Sequence, residues 1–183
     1  MVARTFMKGH PRQGQKTFFA HWIEWKLKKH TIRGNYELWK KRIEQVEAGL
    51  AEIVLKEWVG KPYSKGSTQN ILFRLGKEDG VGIEQIVFED ADPNKPLVEN
   101  EWRNIWSIAN NDGLSVEDFT AWFSAYDLSE PFAVIHFTPF RYRKSEPVTD
   151  GPGTHVDRSV IGDRKKVFGI EGETENQVED EIS

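Results

Sequence analysis

The sequence predicts an α+β fold, and three observations carry that expectation. Apolar residues recur at helical spacing in two segments before Gly49, the period then shortens to near 2, and a β-branched and aromatic run at 131–138 stands between two prolines. At 183 residues the chain has room for one ordinary domain and an extension, not for two comfortable cores.

The first helix is expected over 17–28, where Phe18, Phe19, Trp22, Ile23 and Leu27 form a stripe opposite Lys and Glu. A second, over 35–49, repeats the pattern with Tyr36, Trp39, Ile43, Val46 and Leu50; Asn35 is its N-cap and Gly49 its stop. Between them His30-Thr31-Ile32-Arg33-Gly34 is too β-branched for a helix and is expected to run extended through the core.

Two strands follow at 51–58 and 70–75, joined by the basic turn Gly60-Lys61-Pro62-Tyr63-Ser64-Lys65-Gly66 and therefore read as an antiparallel pair. A third is expected at 83–88, and the acidic stretch 89–96 reads as a loop. Trp102, Ile105, Trp106 and Ile108 suggest a short helix ending near Asn110. Ser115 with Asp118 forms an approximate capping box for another, whose stripe is Phe119, Trp122, Phe123 and Tyr126. The run at 131–138 is expected in the sheet centre or closing a barrel.

Residues 1–16 read as an irregular approach, with a short strand at 3–7, and 17–143 as the folded domain. From 144 the chain turns rich in Gly, Pro and charge and ends in Glu-Asp clusters, so 144–183 is expected to be a disordered acidic tail.

Hydrophobic residues make up 38% of the chain and charged residues 30%, with a formal net charge of -4. That balance argues against bulk electrostatic capture of nucleic acid, yet Lys and Arg concentrate in the first third and leave room for a local basic patch. Without cysteine there is no disulfide framework, thiolate nucleophile or Cys-based metal site. The first residues carry no apolar signal core, and no apolar run approaches a membrane span, so a cytoplasmic protein without a membrane partner is expected.

Several chemistries are absent. Gly60-Lys61 is followed by proline rather than the Ser or Thr of a phosphate loop. His10, His21, His30, His136 and His155 show no ligand spacing, so neither metal nor cofactor is expected. There is no Gly-x-Ser-x-Gly elbow.

Lys28, Thr31 and Arg33 form a Lys-x-x-Thr-x-Arg segment after the first helix, and Asp112-Gly113-Leu114-Ser115 opens a later one. In this order, with an apolar strand at 133–137, the chain resembles the ASCH domain family of the PUA-like superfamily over most of residues 17–140. The resemblance implies a small PUA-like β-barrel with flanking helices. Some ASCH relatives are amidohydrolases that remove the acetyl group from N4-acetylcytidine using a lysine, a threonine and a glutamate. It implies Lys28, Thr31 and Asp112 as the catalytic set, with aspartate in place of the family's longer glutamate.

The chemistry is coherent from the residues alone. A threonine hydroxyl is a weak nucleophile until a base takes its proton, and a buried lysine with lowered pKa is such a base. Arg33 suits a carboxylate, a phosphate or an oxyanion. Arg33, His30, Trp58, Lys61 and Tyr63 are the candidate substrate-binding residues, Trp58 and Tyr63 as stacking faces beside a basic loop. Blander readings stand beside these. Lys28 and Lys29 equally suit a solvated helix C-terminus, Arg33 an ordinary ion pair, Asp112 an Asn-Asp-Gly turn, and His30 a satisfied core histidine. Two functions follow: hydrolysis of an N4-acylated cytosine nucleoside, or binding of RNA or a modified nucleotide in the same cleft without turnover. The sequence leaves the oligomeric state open.

Overall fold

The computed structural model describes residues 2–60 and 64–142, so the expected binding residues Lys61 and Tyr63 and the whole acidic tail lie outside the described residues. Among the described residues the order is α1 (Phe19–Glu24), β1 (His30–Gly34), α2 (Tyr36–Glu47), β2 (Ile53–Val59), β3 (Thr68–Leu75), β4 (Gly82–Phe88), β5 (Pro96–Val98), β6 (Glu101–Trp102), α3 (Ile105–Asn111), α4 (Val116–Phe123) and β7 (Phe132–His136). The α+β class holds. None of the described helices is long and apolar enough to cross a membrane.

The strands form two antiparallel sheets, one in the order β1-β7-β4-β5-β6 and one pairing β2 with β3. Every residue of β7 is buried, which its unbroken apolar run requires, because β1 and β4 flank it and both its faces are covered. The expected closed barrel is not formed among the described residues. No strand bonds β1 to β2–β3, and the approach to β1 is taken instead by α3, whose Asn111 carbonyl accepts from Lys29 N at 2.8 Å. The core gathers Phe88, Phe119, Phe123 and Phe132 between helix and sheet, with ring centroids 4.5–6.3 Å apart.

The helices are shorter than their sequence patterns. α1 ends after six residues because Lys26 turns to φ 58°, and the amides of Leu27 and Lys28 both return to the Trp22 carbonyl. Phe18 and Leu27 are left exposed, while Phe19 and Ile23 are buried. α2 starts at Asn35, whose side chain accepts from Leu38 N at 3.1 Å, and stops at Gly49 with φ 74°, leaving Leu50 outside its stripe and 81% exposed. Trp102 belongs to β6 rather than to α3, and it and Trp106 face outward.

Candidate functional site

Strand alternation divides the chemistry of β1 between the two faces of the sheet. Thr31 and Arg33 point to one side, beside Ile135 of β7, and His30 and Ile32 to the other. Around β1, the edge strand of its sheet, lies a cavity of about 620 Å³ lined by Lys28, Thr31, Ile32, Arg33 and Asp112, with Trp58 and Leu55 of β2 also on its wall. Its size lies in the range of small-molecule sites, which run from roughly 300 to 1,000 Å³. The structure thus brings together the three catalytic candidates and two of the expected binding residues, Arg33 and Trp58.

Lys28 arrives buried because the early end of α1 swings it inward. It is 3% exposed and its Nζ lies 2.5 Å from Asp112 Oδ1, while also donating to the Asp112 backbone carbonyl and sitting over the Phe19 ring. The solvated C-terminal turn is excluded for Lys28. Burial lowers the Lys28 pKa, Asp112 opposes that shift, and the positive charge of Arg33 adds to it. Burial alone would raise Asp112, but Lys28 and His30 outweigh it and hold the carboxyl below its ordinary range.

The Asp112–Ser115 segment performs a separate task at each position. Asp112 receives Lys28, Gly113 takes φ 75° and passes close to Trp22 and Lys28, Leu114 is buried, and Ser115 Oγ accepts from Asp118 N at 3.1 Å to cap α4. The N-cap expected at Ser115 is therefore in place.

His30 does not line the cavity. It is fully buried on the opposite face, with Nε2 2.8 Å from the Tyr142 hydroxyl and Nδ1 3.7 Å from Asp112 Oδ1. Other residues on the cavity wall escaped the sequence reading. Val2, Arg4, Thr5 and Met7 line it, since the N-terminal segment is tied to β2 through Val2 N and the Lys56 carbonyl at 2.6 Å. Isolated bridges at Thr5 and Phe6 stand where a strand at 3–7 was expected. The signal for this packing was the apolar pair Val2 and Phe6, both buried.

Among the described residues no cluster of His, Asp and Glu is arranged to hold a metal ion. No protein-family model, curated protein or solved structure matches the chain.

Proposed function

We propose that the chain is an ASCH-like amidohydrolase that removes the acyl group from an N4-acylated cytosine nucleoside. The observation that carries the reading is the convergence of Lys28, Thr31, Arg33 and Asp112 on one cavity. In the proposed reaction the Thr31 hydroxyl attacks the amide carbonyl as Lys28, in its neutral form, takes the hydroxyl proton. The oxyanion forms beside the Arg33 guanidinium. The C–N bond then breaks, Lys28 returns the proton to the departing N4 amine, and water hydrolyses the Thr31 ester by the same proton path. Asp112 orients Lys28 throughout.

The lowered Lys28 pKa gives the sign of the pH dependence. Only the neutral amine is a base, so the rate rises with pH and levels off below the ordinary lysine value of about 10.4. Incubation with N4-acetylcytidine, followed by chromatography for cytidine, tests the reading. Wild type is expected to release cytidine, and Lys28→Ala and Thr31→Ala are expected to release none. Because Lys28→Ala strands a buried carboxylate, a loss of about 3–5 kcal/mol in stability is expected with it; Thr31→Ala is free of that cost. No release by wild type at high enzyme concentration would overturn the hydrolase.

The binding alternative has its own observation, the placement of Trp58 and Arg4 on the cavity wall as a stacking face and a cation. It is favoured if single-stranded RNA binds with a clear salt dependence while no cytidine appears.

A further inference from the structure

Behind the Lys28–Asp112 pair lies a set of polar side chains that the proposed hydrolysis leaves unused. His30 and His136 are direct partners across β1 and β7, and both are fully buried. Glu84 of β4 lies on the same face, 3% exposed, with Oε2 2.8 Å from His136 Nε2, and accepts from Tyr142 N at 2.8 Å. Tyr142 meets His30 Nε2 at 2.8 Å, Asn111 Nδ2 at 3.0 Å and the Ser107 carbonyl at 3.2 Å. His30 Nδ1 alone on that imidazole is buried without a hydrogen-bond partner, and it stands 3.7 Å from Asp112 Oδ1.

Counting protons decides what this arrangement does. The Tyr142 hydroxyl has one proton, and Asn111 Nδ2 only donates, so that proton goes either to His30 Nε2 or to the Ser107 carbonyl. The His30 contact is the shorter. A hydroxyl donating to Nε2 leaves the proton of the neutral imidazole on Nδ1, facing the Asp112 carboxylate. The opposite tautomer would turn a lone pair towards that negative charge. Burial pushes the His30 pKa down, which keeps the ring neutral with a single proton to place.

We propose that His30 is a positioning residue: Tyr142 fixes its imidazole with the proton on Nδ1, and that N–H holds the Asp112 carboxylate against which Lys28 is oriented. At 3.7 Å the contact acts as an electrostatic attraction between the N–H dipole and the carboxylate, longer than a direct hydrogen bond. Asp112 is faced by Lys28 from the segment after α1, by His30 from β1, and by Tyr142 beyond them; His30 is faced in turn by His136 and Glu84. The catalytic consequence rests on the hydrolase reading above, whereas the tautomer does not.

The test therefore has two arms on the full chain. Nitrogen-15 NMR of the His30 imidazole at neutral pH is expected to show Nδ1 protonated and Nε2 bare, with the Nε2 signal moving towards that of an unbonded nitrogen in Tyr142→Phe. Protonation on Nε2 instead, or no movement in Tyr142→Phe, would overturn the proposal whatever the protein catalyses. In the second arm His30→Asn keeps a donor near Nδ1, and His30→Gln keeps a polar group only near Nε2. With N4-acetylcytidine, kcat is expected near wild type for His30→Asn and reduced about a hundredfold for His30→Gln, with KM unchanged in both, the size that a displacement of about 1 Å produces. Equal losses in the two variants would reduce His30 to a packing residue. If wild type turns over nothing, the hydrolase falls and the NMR arm alone decides His30.

Discussion

Gly113 shows how one residue keeps the site together. Its φ of 75° lies in the left-handed region, and a Cβ there would stand 2.9 Å from Trp22 Cε3 and 3.4 Å from Lys28 Cδ. Left-handed backbone costs a non-glycine residue about 1–2 kcal/mol, and the indole must move as well. Gly113→Ala is thus expected to lower the melting temperature by at least about 3 °C, as about 1 kcal/mol does in a chain of this size. On the proposed hydrolase reading it is also expected to slow release of cytidine from N4-acetylcytidine by pushing on Lys28. Unchanged melting would mean that the Asp112–Ser115 turn relaxes without cost. At this scale the grouping of Lys28, Thr31 and Asp112, which the motif resemblance implies, agrees with their shared place on the cavity wall. The sequence was silent on the burial of Lys28, because that burial is conferred by the Phe19 ring beneath its Nζ and by Gly113 passing beside its Cδ.

The elements depend on their ends. Asn35 holds φ 62° and its side chain accepts from Leu38 N, so it supplies both the left-handed turn out of β1 and the first cap of α2. Asn35→Ala loses the cap, about 1 kcal/mol, and adds left-handed strain, whereas Asn35→Gly avoids the strain. Urea denaturation is expected to rank stability as wild type, then Asn35→Gly, then Asn35→Ala; an alanine variant as stable as glycine would show that the turn is not strained. Both ends of α2 were legible because Asn35 and Gly49 are local signals. The end of α1 was not, since Phe18 and Leu27 continue the apolar stripe while the helix breaks at Lys26, a residue whose type does not announce its positive φ. Trp102 and Trp106 misled in the same manner: large apolar side chains suggested a buried stripe, yet both face outward.

Across the described residues the five-stranded sheet carries a cavity around its β1 edge and, on the face of His30 and His136, buried imidazoles beside Glu84. The imidazole face makes stability depend on pH. Burial holds the His136 imidazole down at about 4 against an ordinary 6.5, in spite of Glu84, and His30 is shifted in the same direction. A base with a depressed folded pKa binds fewer protons folded than unfolded. Stability is therefore full above about pH 6.5 and is lost as pH falls from there towards about 4. At about 1.4 kcal/mol per unit, His136 alone is worth on the order of 3 kcal/mol over that range. The stretch from pH 6.5 to 5 is the informative one, because ordinary carboxylates, with pKa values near 4, have barely begun to titrate there. The urea midpoint of wild type is expected to fall across it, and His136→Gln, which keeps a polar side chain but cannot take up the proton, is expected to flatten the slope. A midpoint that stays level in wild type would mean that both imidazoles are already charged inside the fold, His136 against Glu84 and His30 against Asp112.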